Sequence, residues 1–478
     1  MGNCTEGSNP SLSARKIMKN INIFYLQDGF QFTKEAIQQH ANNGWTGREP
    51  LSLHVLTQIE LEQNFNPFNE MFDINIINNG DVSKCNEQDI TLVPIDIQSF
   101  PITIENRKYY ELSQFGIEID KIVQHILSLK LPNLAFLFYS STEPYFFDAN
   151  IYFAELGANN PHIKIILSGS GETEDYFGHF TTHTKRVPNV HKIHKLWYFD
   201  RVHYMTFLSE DEESKKVHME MDRRITSREK RMYDIVPNKF VCTLRNCRAH
   251  RLLFSTMLEN SAIGLEDITY GRFYSLRPTD LMKISSNQKT KDEYPYHIEL
   301  ISTSLNQLLN KEKLEDSFIK QMMNNLMSRP HIIDMKNIDD RGIPGHWLYE
   351  DCDIVISPGG EPYGYGYVDE KQFIPMAFKK PFITFGCKGI YEELKNIDFK
   401  PFDDCWPINF NEADTLLDRV QGFFSVFEYI RNLNQSAYQE LLEKTKESVE
   451  FNYEHLVNGT FRRKSNENFF QELYDACS

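Results

Sequence analysis

The sequence predicts an α/β protein of two domains, each a parallel sheet covered by helices. Three observations predict it. The chain has 478 residues, too many for one ordinary core. Short apolar runs alternate with helical stretches in both halves. The clearest runs empty into small-residue loops, as the strands of open α/β sheets do at their ligand-bearing ends. Two Rossmann-like domains facing each other across a cleft fit this pattern best.

Composition narrows the class. Hydrophobic residues make up 41% and aromatics 13%, ample for large cores. No window approaches the run of uncharged apolar residues that a membrane helix needs, so no transmembrane segment is expected. The net charge of −16 repels phosphate backbones and makes nucleic acid a poor partner. The eight cysteines form no CxxC pair or metal-finger spacing, which suits a reducing compartment and predicts the cytoplasm.

Residues 1–17 are polar, turn-rich and aperiodic, and are expected to be disordered or a misassigned start. The first domain is expected over 18–235. It opens with a strand at Asn22–Leu26 and a Gly turn, then a strand over Thr91–Ile97 and helical spacing over Ile119–Leu129. Leu134–Tyr139 runs into Ser140-Ser141-Thr142-Glu143-Pro144, and Ile163–Leu167 into Ser168-Gly169-Ser170-Gly171-Glu172. A further strand is expected near Lys195–Phe199, and an exposed charged helix over Glu210–Arg231. The second domain, 236–430, starts with a strand at Lys239–Leu244 and a helix through Leu258. Residues 281–330 are polar, helical in places, and read as an insertion. Ile354–Ser357, Lys371–Phe378 and Pro381–Phe385 form a β–α–β unit, which requires a parallel crossover. Residues 431–478 are expected to be helical, with Ser436 and Gln439 as a capping box.

Two segments carry chemistry. In the first, a Gly/Tyr-rich loop, Pro358-Gly359-Gly360-Glu361 to Tyr365-Gly366-Tyr367, leaves a strand and feeds a helix at Asp369-Glu370-Lys371. Backbone N–H groups at such a helix start favour anions, a carboxylate there can accept ribose hydroxyls, and Lys371 can neutralise a diphosphate. Tyr363 to Tyr367 could stack on a base or sugar. The plainer alternative is a solvated loop with Asp369 as a helix cap. In the second segment, Arg245, Arg248 and Arg251 stand three apart at a strand-to-helix junction, either as a phosphate site or as a solvated helix face.

These segments resemble the donor-site signature of the α-1,3-fucosyltransferase family and related bacterial and viral glycosyltransferases. Tyr367-Val368-Asp369-Glu370-Lys371 stands where the family has Tyr-x-Thr-Glu-Lys, with Asp in place of Thr. Phe240 to Phe254 is similar to the family's strand, Asn and Arg-bearing helix, and the order of the two segments matches. The resemblance covers about 236–430. It implies a GT-B fold and inverting, metal-independent transfer of a sugar from a nucleotide-diphosphate sugar to an acceptor hydroxyl. It implies an acceptor domain at 18–235 and a donor domain at 236–430. It assigns the diphosphate to Arg251, with Arg245 and Arg248 as competitors, ribose to Glu370, phosphate to Lys371 and, loosely, a loop role to Glu361. Tyr367 is counted with the donor site. No cofactor and no metal are expected.

Inversion needs a base on the acceptor hydroxyl. Glu143 is preferred, with Glu172, Glu174 and Asp28 also placed on loops after strands. Two metal motifs are read as chance: Asp351-Cys352-Asp353 precedes its strand, and His183, His191 and His194 have no carboxylate at zincin spacing. Two other classes stay open, a sugar-nucleotide epimerase on the same fold and a non-catalytic nucleotide-sugar or carbohydrate-binding protein.

Overall fold

The structure is a computed structural model. It describes residues 19–24, 72–77, 81–96, 111–112, 117–139, 147–169, 187–195, 238–244, 247–261, 268–272, 304–328, 352–359, 362–363 and 366–477. Residues 1–17, the charged segment Glu210–Arg231, Asp28, Glu143, Glu172, Glu174, His183, Arg245, Asp351, Glu361 and Tyr365 lie outside them.

The described chain is mixed α/β, and its two larger sheets are parallel throughout. The first has the order β2-β1-β3-β6-β7-β8. It is built from β1 (Lys19–Phe24), β2 (Phe72–Ile77), β3 (Ile90–Asp96), β6 (Leu134–Tyr139), β7 (Lys164–Gly169) and β8 (Val190–His194). Two short strands, β4 (Glu111–Leu112) and β5 (Ile117–Glu118), pair by themselves. Helix α1 (Ile119–Ser128) precedes β6, and α2 (Phe147–Asn159) links β6 to β7. The apolar run of β6 is buried from end to end, as expected of a strand covered on both faces.

Period-two alternation divides this sheet between two cores. Phe136, Phe138, Ile165 and Leu167 face Val123 and Ile126 of α1 and Phe153 and Leu156 of α2. The Phe138 and Phe153 rings stand 4.4 Å apart. Ala135, Leu137, Tyr139 and Ile166 face the other way, onto Phe469, Phe470 and Leu473 at the end of the chain.

The second sheet, order β10-β9-β11-β12, comprises β9 (Asn238–Leu244), β10 (Ile268–Arg272), β11 (Cys352–Pro358) and β12 (Phe382–Phe385). Helix α3 (Ala249–Asn260) follows β9, α4 (304–311) and α5 (Asp316–Ser328) come next, and α6 (Glu370–Ala377) links β11 to β12. Then come α7 (Ile390–Asn396), α8 (Leu416–Arg431), α9 (Gln435–Val457) and α10 (Thr460–Cys477). One apolar core joins the sheet to α3, α6, α7, α8 and α9. At its middle, Phe254 meets Phe423 and Phe427 edge-on at 5.3 and 6.3 Å.

Helix α10 starts in the second core with Phe461 and continues onto the first sheet, where it packs on β7 and β8. The buried ammonium of Lys195, just past β8, donates to Ser465 Oγ at 3.3 Å and to Asn466 Oδ1. Helix α10 is thus held on the sheet that contains β1, the first described strand. Among the described residues no helix is long and apolar enough to cross a membrane.

Of the strand expected near Lys195–Phe199 only Lys195 lies among the described residues; a strand is described just before it, at Val190–His194, where Ile165 pairs with Val190. Two expectations are corrected. The cap of α9 is Asn434, whose side chain accepts from the Ala437 amide; Ser436 lies inside the helix. Asp353 lies within β11, and its carboxylate accepts from the Tyr438 hydroxyl at 3.2 Å, so it ties α9 to the sheet. Residues 304–328, within the stretch read as an insertion, are helical in part as expected and pack into the second core. Leu308, Met322 and Leu326 are buried there, and Glu312 accepts from the Leu416 and Leu417 amides at 3.2 Å each, capping α8.

Candidate functional site

The site is assembled where β9 and β11 end side by side. The two strands pair in parallel, with Ile356 beside Cys242, so the chain leaves both at one sheet edge. From β9 it passes Cys247 and Arg248 into α3. From β11 it passes Gly359 and, after the loop, reaches Asp369 and α6.

The start of α3 is tied to the start of the loop. Gly359 continues the ladder, donating its amide to Phe385 O at 2.8 Å. Its carbonyl accepts from His250 Nε2 at 2.6 Å and from the Arg251 guanidinium at 2.8 Å, and Arg251 also reaches Pro358 O at 3.5 Å. His250 and Arg251 are 0% and 3% exposed. Burial, followed by the Arg251 charge, holds the His250 imidazole well below its ordinary range, and Arg248 and Lys371 push the same way. A neutral ring that donates from Nε2 carries its lone pair on Nδ1.

The start of α6 is closed by side chains. Asp369 accepts from the Lys371 amide at 2.9 Å, and Gln372 Oε1 accepts from the Asp369 amide at 2.9 Å, a complete capping box. Gln372 also donates to Thr384 Oγ1 at 2.7 Å, whose hydroxyl donates to Ser357 O at 2.7 Å. Pro375 lies inside this helix and has no N–H for the Lys371 carbonyl four residues back. The Ser357 hydroxyl supplies the missing donor, fastening Lys371 to the end of β11. The Lys371 ammonium stands 3.2 Å from the buried Asp369 carboxylate and keeps a side chain 26% exposed.

By contrast, α3 begins at Arg248 in extended conformation, with no side-chain cap bond. The first turn of any helix directs its backbone N–H groups outward along the axis, where an anion can accept them. Arg248 is half-buried there, while Arg251 is turned inward.

Three further residues, Arg419, Gly366 and Lys311, shape the loop. Arg419 is 3% exposed and donates to Gly386 O at 3.1 Å, Pro362 O at 3.0 Å, Ala413 O at 2.7 Å and Asp414 O at 3.0 Å. Gly366, at φ 61°, donates its amide to Lys388 O at 2.7 Å, a turn that favours glycine. The ammonium of Lys311, at the end of α4, lies 4.3 Å above the Tyr363 ring, a favourable cation–π contact.

The structure thus brings Arg248, Arg251, Tyr367 and Lys371 to one edge, and revises the expected work of two of them. Tyr367 is 3% exposed and packed in the core, so its ring has no open face for a base or sugar. Arg251 spends its guanidinium on the carbonyls that end β11, which makes Arg248 the arginine nearer the surface. Glu370 opens α6 on its backbone, and nothing is described of its side chain. Arg245, Glu361, Glu143 and Glu172 lie outside the described residues. His250 and Arg419 were not singled out in the sequence, and Ser357 only opened the Gly/Tyr-rich segment without a role of its own. For Ser357 a signal existed, since Pro375 leaves a carbonyl at Lys371 that some donor must meet.

Among the described residues no group of three His, Cys, Asp or Glu side chains converges to hold a metal ion. No protein-family model matches the chain, and no curated protein matches it. Two solved structures are similar over nearly its whole length. One is the crystal structure of an α1,3-fucosyltransferase, at 10% identity over 94% of this chain and 93% of that one, with a TM-score of 0.35. The other is that of a glycosyltransferase from Rickettsia africae ESF-5, at 14% identity over 96% and 98%, with a TM-score of 0.31. Both belong to the class that the two sequence segments resemble. At these TM-scores the likeness carries no argument about the site, whose case is its own geometry.

Proposed function

We propose that the chain is a glycosyltransferase that takes a sugar from a nucleotide-diphosphate sugar and gives it to an acceptor hydroxyl, with inversion and without a metal. In this reading 18–235 and 236–430 are two Rossmann-like domains of GT-B type, acceptor and donor respectively, and 431–478 are closing helices. The observation that carries it is the convergence of two helix starts on the end of β11: His250 and Arg251 bond Gly359, while Ser357 holds Lys371. Arg248, Lys371 and the amides opening α3 then share one anion.

The reaction needs little else at this edge. The acceptor oxygen bonds to the anomeric carbon, and the bond from that carbon to the β-phosphate oxygen breaks. The electron pair leaves on the nucleoside diphosphate, where Arg248 and Lys371 offset the growing charge. The acceptor proton passes to a carboxylate of the first domain, with Glu143 as first choice and Glu172 as second. Glu370 serves the ribose, and Arg251 holds the cradle in shape rather than touching phosphate. Because two cations and a helix start face the leaving group, turnover persists in a chelator.

Calorimetric titration of GDP, UDP, CDP and TDP tests this reading. One nucleotide binds the wild type, and Arg248→Ala and Lys371→Ala each weaken it by about tenfold to a hundredfold, the cost of a charge-assisted hydrogen bond. The melting temperature of Arg248→Ala stays near wild type, and Lys371→Ala, which removes a cation beside the buried Asp369 carboxylate, is compared on its folded fraction. If both variants bind as the wild type does, the diphosphate lies elsewhere.

A further inference from the structure

A carbonyl at the end of β11 that accepts two buried side-chain donors is a fixed point for everything that follows it. Gly359 O is such a point, and both donors come from the first turn of α3. His250 is wholly buried beneath it, with its ring edge-on to Phe385 at a centroid distance of 5.7 Å. Phe385 in turn is the residue whose carbonyl receives the Gly359 amide. Two hydrogen bonds at Gly359, one accepted by its carbonyl and one donated by its amide, therefore link the start of α3, strand β12 and the first residue after β11.

The chemistry of the donor matters as much as its reach. Arg251 already points a full charge at this carbonyl, and Arg248 and Lys371 lie close enough to act on the same ring. A second Arg or Lys would add another cation to a dry space. A neutral imidazole supplies an N–H with no charge, so the positive field stays with the groups that face outward. We propose that His250 is a positioning residue for nucleoside diphosphate binding: its Nε2–H, with the Arg251 guanidinium, pins the Gly359 carbonyl and sets where the loop after β11 stands relative to the uncapped start of α3. The inference rests on the reading of this edge as a nucleoside diphosphate site, and it assigns His250 no contact with the ligand.

The test uses the full chain and the nucleotide that binds best among GDP, UDP, CDP and TDP. His250→Phe keeps an aromatic ring against Phe385 and removes the donor, whereas His250→Gln keeps an amide N–H able to reach Gly359. Affinity is expected to fall about tenfold in H250F, the cost of one hydrogen bond's worth of positioning, and to return to within about threefold in H250Q. A purely structural role would lower both melting temperatures and leave the affinity of the folded fraction alone. Should H250F fail to fold, His250→Asn, too short to reach Gly359, replaces it. If H250F or H250N binds like the wild type while Lys371→Ala binds weakly, the positioning role is overturned and the diphosphate site stands. If H250Q is as weak as H250F, the Nε2 donor is not what matters and the proposal fails. If the wild type binds none of the four nucleotides, the site reading fails and takes this inference with it.

Discussion

Two helices begin at the same sheet edge, and they begin in opposite ways. Helix α6 is sealed: Asp369 and Gln372 satisfy its first turn reciprocally, and the one carbonyl that Pro375 strands is met by Ser357. Helix α3 has a cation, Arg248, at its N-cap, and among the described residues no side chain caps it. An N-cap normally carries Ser, Thr, Asp or Asn, because their oxygens accept the outward N–H groups. A guanidinium cannot accept. Placing one there gives up the stability of a cap and leaves a positive end beside a positive side chain, the arrangement on which the proposed anion site rests. The contrast teaches how one edge divides its labour. The sealed helix holds Lys371 still, and the open one offers amides and Arg248.

The sharpest way to break the contrast is to seal α3 as well. Arg248 already has the extended backbone of a capping residue, at φ −133° and ψ 155°. Arg248→Asp should raise stability by about 0.5–1 kcal/mol, since it supplies a cap, while weakening nucleotide binding about a hundredfold or more by replacing the cation with an anion. Denaturant midpoints and titrations of one preparation check both halves. Stability and binding moving in opposite directions is the signature, and a variant that loses both would count against an open helix start.

Unsealing α6 should have the next largest effect. Asp369→Ala removes a buried cap and the acceptor of the Lys371 ammonium, and is expected to cost about 2 kcal/mol of stability. Asp369→Asn, which keeps a capping oxygen, should recover most of that loss in a urea melt.

The smallest expected effect sharpens the comparison through pH. His250, bonded to Gly359 between the two helix starts, has a folded-state affinity for protons well below its ordinary range of about 6.5. The unfolded chain therefore takes up this proton first. Its contribution to stability is complete above about pH 6.5 and is lost as pH falls below it, by up to about 1.4 kcal/mol per pH unit. Because other histidines add their own terms, the measurement is a difference: the wild type should lose about 1.4 kcal/mol more than H250Q between about pH 7.5 and 5.5. Equal losses would show that His250 is not buried neutral.

Much of the fold was legible before any coordinates. Leu134–Tyr139 was read with its exact bounds because six consecutive apolar residues between polar turns suit only a strand buried on both faces. The β11–α6–β12 crossover was legible for the same reason, with Asp369 marking the helix start. Less legible were elements whose pattern is weak locally. Val190–His194 alternates His, Lys and Ile, and becomes a strand by pairing with β7. The polar surface of 304–328 hid three apolar residues that only the neighbouring α3 and sheet make into core.

By itself, then, the chain's order of residues determined which stretches become strands and helices, that two parallel sheets form, and that Arg-bearing and Lys-bearing helix starts follow strand ends. Apolar periodicity, glycine and proline act over a few residues, and those can be read in line. Tertiary structure alone decided which way each side chain turns at the shared edge. It sent Tyr367 into the core, turned Arg251 onto the carbonyls of Pro358 and Gly359, and set His250 beneath them. Such choices depend on which strand lies beside which, because a buried donor must find its acceptor more than a hundred residues away in sequence.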